Sequence, residues 1–308
     1  MRRSRIAIIA LIAGLSVASV LLVVRIVQPE PTTRPAVGTL VWSDEFDGPA
    51  GSAPNPEKWV PDVGGNGWGN QELQYYTDEA ANATLDGQGH LVIEARETDA
   101  ELSCHYGPCR YTSARLKTAG TFGQMYGRVE ARMKVPEGQG LWPAFWMLGD
   151  DIAVTPWPAS GEIDVMEHVG HEPHAVKGSA HGPGFSGTDA YDADHYFDQK
   201  VAEDFQVFAV DWTADQLIWS VNDHPYGVLD REDLGPDQHW VFDKPYMLML
   251  NLAVGGQWPG PPGDDTVFPA HLLVDYVRVY DHEGAPPRGS QLTVGESGHI
   301  SGYARKCL

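Results

Sequence analysis

Positive charge and helical periodicity are both scarce in this sequence, and each shortage excludes a class of protein. Lys and Arg number 21 against 42 Asp and Glu, which gives a formal net charge of −21 at pH 7. Such a charge repels phosphate backbones and anionic lipid, so we expect no nucleic-acid partner. It suits a neutral or cationic partner, and solubility alone is an equal explanation. No convincing run of helical period occurs between residues 40 and 283, which argues against a helical fold.

Short segments with the alternation of β-strands are present instead. With 308 residues, 42% of them hydrophobic, the chain can bury a substantial core in one large domain. The clearest segments are "HLVIEAR" from His90, "GRVEARMKV" from Gly127, "FQVFAVDW" from Phe205, "QLIWSV" from Gln216, "YMLMLNLAV" from Tyr246 and "LLVDYVRVY" from Leu272. Clusters of Gly, Pro, Asn and Asp separate them, which is typical of an all-β sandwich or barrel. In "GRVEARMKV" we expect Glu130, Arg132 and Lys134 on a solvated face.

The N-terminus carries the pattern of an export signal. Arginines crowd the first five residues, residues 6–24 are largely apolar, and Arg25 stops the apolar run. We expect residues 1–25 to be a cleavable signal peptide or a retained signal anchor, with everything after Arg25 outside the membrane. Residues 26–39 are predicted to be a Pro/Thr linker. The protein is therefore expected to be secreted or extracellular, either free or anchored by residues 6–24 as its one contact with a membrane.

Three cysteines fit an oxidising compartment. Cys104 and Cys109, in "CHYGPC", are close enough across a Gly-Pro turn to form a disulfide, and two unpaired thiols are the alternative at this spacing. Cys307 has no evident partner in the sequence.

The stretch "GEIDVMEHVG" places three acids in a segment whose other residues are typical of a buried strand. Strict alternation would put Glu162 and Asp164 on one face and Glu167 on the other. A β-bulge at Val165 and Met166 would return Glu167 to the face of the other two. Three carboxylates on one strand repel one another, so the stretch is either a solvated strand face or a functional site.

Two tryptophans lie just upstream, in "GLWPAFWMLG". Trp142 and Trp146 are four residues apart, so on a strand they face the same way, roughly 13 Å from each other. That interval suits stacking on successive sugar rings, with packing in the core as the alternative. Two carboxyls beside a sugar-binding aromatic surface are the catalytic groups of a glycosidase. One acid attacks the anomeric carbon and the other protonates the departing oxygen. A third acid between them helps to separate their pKa values.

These motifs resemble glycoside hydrolase family 16. "GEIDVMEH" is similar to the E-x-D-x-x-E signature of that family, in the bulged form typical of its laminarinase-like endo-β-1,3-glucanases. The stretches that follow the order of the family are "WSDEFDG" from Trp42, "GNGWGNQELQYYT" from Gly65, "YTSARLKT" from Tyr111, "GLWPAFWMLG" from Gly140, "NLAVGGQWPG" from Asn251 and "VDYVRVY" from Val274. The resemblance covers most of residues 40–283, which it makes the catalytic domain, and implies a β-jelly-roll sandwich with a concave substrate cleft.

The resemblance also implies roles for single residues. Glu162 corresponds to the nucleophile, Glu167 to the acid/base and Asp164 to the assisting acid. No cofactor is implied for catalysis. The substrate-binding positions that it implies are Trp142, Trp146, Asn70, Arg115 and His181.

A structural calcium ion is a further implication, because many members of the family bind one near the start and end of the domain. The corresponding positions are Asp275 and the backbone around Glu45 and Gly89. An ordinary surface acid is the alternative for Asp275.

The tail resembles a different protein family. "GAPPRGS", from residue 284, is predicted to be a second linker, and "GHISGYARKCL" resembles the opening strand of a ricin-type β-trefoil. Residues 284–308 are thus expected to be a linker and a truncated β-trefoil-like tail, which would explain the odd Cys307. A chance match is the alternative.

Together these features predict a monomeric, retaining endo-glycosidase that hydrolyses laminarin-like β-1,3-glucan by double displacement. A mixed-linked β-1,3-1,4-glucanase and a transglycosylase are the alternatives among enzymes. A non-catalytic β-glucan-binding protein on the same sandwich would keep the tryptophans and lose the acids.

Overall fold

The computed structural model describes residues 34–283. Within this range the regular structure is β-strand, with 3₁₀ turns at Gly187–Asp189, Val201–Glu203 and Arg231–Asp233. The strands are β1 Val37–Asp44, β2 Val60–Pro61, β3 Gln74–Tyr76, β4 Ala83–Leu85, β5 Leu91–Glu97, β6 Ser103–Cys104, β7 Gly107–Pro108, β8 Tyr111–Ser113, β9 Arg115–Lys117, β10 Gly127–Lys134, β11 Leu141–Gly149, β12 Glu162–Glu167, β13 Ala175–His181, β14 Tyr191–Tyr196, β15 Gln206–Trp212, β16 Gln216–Val221, β17 His224–Asp230, β18 Tyr246–Val254 and β19 Ala270–His282. All six segments that the sequence marked as strands are strands.

Two large sheets pack face to face. The ten-stranded sheet has the order β17-β16-β15-β10-β19-β5-β8-β3, with β1 beside β19 and β4 beside β5. The seven-stranded sheet has the order β14-β13-β12-β11-β18-β9-β2. Buried side chains from both sheets, such as Phe145, Phe208 and Trp219, form one apolar core between them. The predicted all-β sandwich is confirmed.

The seven-stranded sheet is built around two apolar strands. Every residue of β18 is buried, because the strand lies in the interior of the sheet, between β9 and β11. In β11, Leu141, Phe145 and Met147 point into the core and are fully buried, whereas Trp142 and Trp146 alternate with them and are partly exposed. This alternation places both tryptophans on the outer face of the sheet, as predicted.

One face of β10 differs from the prediction. Arg132 and Lys134 are partly exposed, but Glu130 is buried, with 9% of its surface exposed. The buried guanidinium of Arg128 donates hydrogen bonds to Glu130 Oε2 at 2.8 Å and to Asp211 Oδ2 at 2.9 Å. The expectation of a solvated Glu130 was wrong because this arginine neutralises the acid at the surface of the sheet.

The domain also begins earlier than predicted. Residues 37–39, which the sequence assigned to the linker, belong to β1. Arg34 precedes that strand and forms ion pairs with Asp211, at 3.3 Å, and with Asp223, at 2.9 Å. Strand β19 ends at His282.

The expected signal peptide or anchor (1–25), the start of the linker (26–33), the tail (284–308) and Cys307 lie outside the described residues. No helix in the described part of the chain is long and apolar enough to cross a membrane. The disulfide between Cys104 and Cys109 is present, which confirms the pairing that the spacing allowed.

Candidate active site

The candidate site is the outer face of the seven-stranded sheet, which we call the cleft face. Directly opposed residues of antiparallel strands share a face. Across β11, β12, β13 and β18, this face carries Trp142, Trp146, Glu162, Asp164, Glu167, Lys177, Ser179, His181 and Asn251. Strand β9 adds Arg115, which pairs with Asn251.

Strand β12 contains the predicted bulge. Two successive residues of β11 pair with Asp164 and Met166, so Val165 is an extra residue. The register against β13 shifts over the same stretch. The extra residue reverses the alternation and turns Glu167 to the face of Glu162 and Asp164. The bulge prediction is confirmed, and it explains how three acids at uneven spacing come to lie together.

Aromatic side chains contact strand β12 on its core side, opposite the cleft face. Trp219, fully buried on β16, donates from its indole Nε1 to the carbonyl oxygen of Asp164 at 2.8 Å. Gly178 of β13 makes room for that ring, since a Cβ there would lie 2.2 Å from it. Gly161, directly before the first acid, has φ +73°, and a Cβ there would lie 1.8 Å from the hydroxyl of Tyr246. Both glycines are therefore required by the packing around β12.

His181 is the basic side chain nearest to the acids. Its Nε2 lies 3.0 Å from Asp164 Oδ2 and 3.9 Å from Glu162 Oε1. The backbone N–H of Gly187 donates to its Nδ1 at 3.2 Å, which assigns the proton of the neutral ring to Nε2, facing Asp164. Within residues 34–283, no Lys or Arg nitrogen lies within 4.0 Å of a carboxylate oxygen of Glu162, Asp164 or Glu167.

The three acids therefore have raised pKa values. For Glu162 the largest cause is burial and the next is the charge of Asp164, opposed by His181 and by a hydrogen bond from Trp157. Burial also raises the pKa of Asp164. The pKa of Glu167 lies well above its ordinary value, first through burial and then through the charge of Asp164. Such a group of acids can hold an ionised carboxylate beside a protonated one, as acid and nucleophile chemistry requires.

The two predicted tryptophans hold polar partners through their indole N–H groups. Trp142 donates to Glu167 Oε1 at 3.1 Å, and Trp146 donates to Asn251 Oδ1 at 2.7 Å. Trp258 packs edge-on against Trp142 with ring centres 5.5 Å apart. The tryptophans thus offer aromatic surface on the cleft face and also orient polar groups of the site.

Arg115 lies beside Trp146, as a sugar contact in the cleft should. Its guanidinium is 5.9 Å from the centre of the Trp146 ring and 3.9 Å from that of Trp68. Asp62 accepts a hydrogen bond from its Nε at 2.7 Å. The arginine therefore connects the sheet to the loop that carries Trp68.

Asn70 belongs to that same loop, residues 64–73, which we call the wall segment. Its amide nitrogen donates to Glu72 Oε1 at 3.3 Å. The disulfide-closed loop packs against the wall segment. The backbone N–H of His105 donates a hydrogen bond to the carbonyl oxygen of Gly65 at 2.8 Å, and the hydroxyl of Tyr106 donates one to the carbonyl oxygen of Leu73 at 2.7 Å. The disulfide thus braces the segment that presents Asn70.

Sequence reasoning missed three residues of the site. Asn251 is the one polar residue in "YMLMLNLAV", a signal that should have marked it. Trp157 lies between two prolines, is 44% exposed and stands with its ring centre 6.0 Å from that of His181. Prolines on both sides keep a residue out of a central strand, so this aromatic was recognisable as a loop residue. Trp258 lies in a quoted motif but received no role.

Asp275 lies apart from the site, on β19 of the ten-stranded sheet. Its Oδ2 accepts a hydrogen bond from Arg132 at 2.6 Å. The backbone around Glu45 and Gly89 was also expected to bind calcium, and the side chain of Glu45 forms a bidentate ion pair with Arg278. Both side chains therefore already have cationic partners.

One group of acids and imidazoles in the described range could surround a metal ion, namely Glu162, Asp164 and His181, whose ligand atoms lie within 4.8 Å of one another. A metal-bound imidazole donates its second N–H to an acceptor. Nδ1 of His181 faces the N–H of Gly187 instead. The ring is therefore arranged to donate towards Asp164, and the three residues do not fit a metal centre.

A two-sheet sandwich with three uncompensated acids on a bulged strand, flanked by tryptophans, defines a class of protein: the glycoside hydrolases that work with paired carboxyls. Residues 67–277 match the model of the family described as Glycosyl hydrolases family 16. The chain belongs to this family, and the predicted β-jelly-roll sandwich is confirmed.

The chain is similar to several characterised proteins. Beta-glucanase of Rhodothermus marinus is 45% identical over 257 residues, which cover 78% of this chain and 84% of that protein. Glucan endo-1,3-beta-glucosidase A1 of Niallia circulans is 36% identical over 275 residues, which cover 82% of this chain but only 39% of that longer protein. The X-ray structure of endo-beta-1,3-glucanase from Pyrococcus furiosus aligns with a TM-score of 0.74 at 45% identity, over 79% of this chain and 94% of that one.

Proposed function

We propose that this protein is a retaining endo-β-1,3-glucanase that hydrolyses laminarin-like polymers. The observation that carries the proposal is the set of three acids on the cleft face, which has no Lys or Arg partner in the described part of the chain and lies beside two tryptophans. The beta-glucanase and endo-1,3-glucosidase relatives support the choice of substrate.

The roles of the acids in the reaction are those that the resemblance to the family implies. Glu162 attacks the anomeric carbon and forms a glycosyl-enzyme bond, while Glu167 gives its proton to the departing oxygen. Glu167 then takes a proton from water, which attacks the same carbon and releases Glu162. Asp164 lies between them and, with the N–H of His181, supports the charge changes on Glu162. The chemistry needs no cofactor, since the carboxyls supply both nucleophile and proton.

The register of β12 supports retention. Glu162 and Glu167 pair with Leu148 and Ala144 of β11, so their backbones are four residues, roughly 13 Å, apart. Two long glutamate side chains that lean inward over Asp164 can bring their carboxyls to about 5–5.5 Å, the separation of a double-displacement enzyme.

The substrate test is a comparison of polysaccharides. We expect the full chain to release a ladder of oligosaccharides from laminarin early in the reaction, since an endo enzyme cuts within the chain. Lichenan, agarose and xyloglucan are tested separately as alternative substrates. Faster cleavage of lichenan would favour a mixed-linked glucanase, and longer products than substrate would favour a transglycosylase. Laminarin binding without any cleavage would make the protein a β-glucan-binding protein.

We further propose that the protein is exported, free or anchored by residues 6–24, and acts as a monomer on polysaccharide. The basic start and apolar run of the sequence support export.

Structural calcium remains a prediction that the side chains oppose. Calcium needs six to eight oxygen ligands, whereas Asp275, the one side chain expected to bind it, is paired with Arg132. We therefore expect EDTA to leave the melting temperature unchanged. A higher melting temperature in calcium than in EDTA would show that the ion displaces Arg132 from Asp275.

A further inference from the structure

Lys177 is the lysine that pairs in register with the proposed acid/base. It lies on β13 directly opposite Glu167 of β12. Opposed side chains in an antiparallel pair begin about 5 Å apart on the same face. A lysine side chain is long enough to cover that distance, so an ion pair between Lys177 and Glu167 is sterically accessible.

The ammonium group of Lys177 points to the other neighbouring strand instead. Its Nζ lies 3.0 Å from Asp192 Oδ2 and 3.2 Å from Asp194 Oδ1. Both aspartates belong to β14, the edge strand of the sheet, where Asp194 is directly opposite Lys177. Lys177 therefore has two anionic partners on β14, and its Nζ also lies 5.9 Å from the centre of the Trp258 ring on the cleft face.

We propose that Asp192 and Asp194 are positioning residues that restrain Lys177 and so keep Glu167 without a cationic partner. The inference rests on the acid/base role proposed above for Glu167. Without the two aspartates, Glu167 is the anionic group directly opposite the lysine, and the ammonium would turn towards it.

The other groups that face Glu167 do not replace Lys177 in this role. From β12 they are the acids Glu162 and Asp164, from β13 His181, whose imidazole lies beside Asp164, and from β17 the partly buried Tyr226. The neighbouring strands β11 and β18 contribute the uncharged Trp142 and Asn251. Arg115 lies on β9, beyond β18, and is paired with Asp62. Among the described residues, Lys177 is thus the permanent cation placed to pair with the acid/base.

The consequence concerns the pH dependence of the reaction. A cation beside a carboxyl favours its ionised form and lowers its pKa. Glu167 must be protonated to act as the acid, so a lower pKa moves the alkaline limb of kcat/KM to lower pH. A shift of one unit reduces the protonated fraction about tenfold on that limb.

The test compares four proteins on laminarin across pH: the wild type, Asp192→Asn/Asp194→Asn, Lys177→Met, and the triple variant. We expect the double variant to move the alkaline limb about one pH unit lower, and the triple variant to return it to the wild-type position. Lys177→Met alone should leave that limb in place or move it slightly higher. Melting curves identify variants that have lost the fold, and all three substituted positions are at least partly exposed.

Three results would overturn the inference. The first is a double variant with an unmoved alkaline limb. The second is a shift that persists in the triple variant, because the aspartates would then act on Glu167 by their own charge. The third is an alkaline limb that moves lower in Lys177→Met, because removal of a restrained cation cannot lower the pKa of Glu167. Separately, Glu167→Ala must remove the alkaline limb; if it survives, the acid/base assignment itself fails, whatever the other variants show.

Discussion

The two sheets bury the same kind of side chain in opposite settings. In the ten-stranded sheet, the Asp211 side chain is fully buried, and its Oδ2 lies 2.9 Å from Arg128 and 3.3 Å from Arg34. In the seven-stranded sheet, Glu162, Asp164 and Glu167 share a face on which the nearest basic group is a histidine.

The difference separates a structural role from a chemical one. Taking a carboxylate out of water is costly, and the guanidinium of Arg128 offsets that cost for Asp211. Burial raises the pKa of Asp211 as well, but the charges of Arg128 and Arg34 oppose that shift. For the cleft acids no Lys or Arg opposes it, and the pKa values of all three are raised. Acids with raised pKa values in a cleft are what general acid catalysis uses. The uncompensated group is therefore the one to which we assign the reaction.

The largest expected effect comes from removing the proposed nucleophile. Glu162→Gln should lower turnover on laminarin by about 10³-fold or more. The melting temperature should stay the same or rise, because the substitution removes one of three mutually repelling acids. Assays of reducing ends and thermal unfolding measure the two effects. The matched control is the half-exposed Glu172, whose change to Gln should alter neither. Substantial residual hydrolysis would assign the role to another residue.

In the ten-stranded sheet we expect the reverse, namely a substitution that lowers stability and leaves turnover unchanged. Arg128→Met leaves Asp211 buried without its main partner, which should cost about 3–5 kcal/mol of unfolding free energy. In a domain of this size that corresponds to a melting temperature about 6–20 °C lower. Turnover per folded molecule at 25 °C should remain near that of the wild type. Adding Asp211→Leu should recover part of the stability, since an apolar pair needs no compensation. An unchanged melting temperature would remove the distinction between the sheets.

The pH dependence of stability sharpens the same comparison. The folded protein raises the pKa values of all three cleft acids, that of Glu162 from 4.5 to about 8, so the three acids together hold protons that the unfolded chain has released. That contribution to stability is complete below the ordinary pKa and is lost as the pH rises through the raised value. The melting temperature of Glu162→Gln relative to wild type should therefore increase from pH 5 to pH 8. A constant difference would mean that the three acids take up no extra protons when the chain folds.

The smallest expected effect concerns Arg34, the second partner of Asp211. Its side chain is partly exposed, and Arg128 remains in place, so Arg34→Ala should cost only about 1 kcal/mol, or about 2–4 °C. Thermal unfolding of the full chain measures this shift, with activity at 25 °C as the internal control. No shift would place the beginning of the folded domain after Arg34, closer to the predicted boundary at residue 40.

The cleft acids were predictable from the sequence because their signals are local. Three acids interrupt an apolar strand, two tryptophans repeat at a strand interval, and the uneven spacing of Glu167 requires a bulge. Each rule concerns residues within a few positions of one another. The strands themselves followed from the same short-range alternation.

The ion pairs of the ten-stranded sheet were not predictable in this way. Arg128, Asp211 and Arg34 are far apart in the sequence, and only the pairing of β10 with β15 brings the first two into register. For that reason Glu130, which shares Arg128, was expected in solvent. The position of Asn70 was not predictable for the same reason, because the disulfide-closed loop that braces the wall segment is distant from it in the sequence.

The most direct test of the central claim is the configuration of the first product. In ¹H NMR spectra taken immediately after the enzyme is mixed with laminarin, the new reducing ends should appear as the β-anomer and then equilibrate with the α-anomer. This outcome requires two displacements at the same carbon, and hence a carboxylate nucleophile on the cleft face. If the α-anomer appears first, water attacks the sugar directly, and the double-displacement role of Glu162 is contradicted.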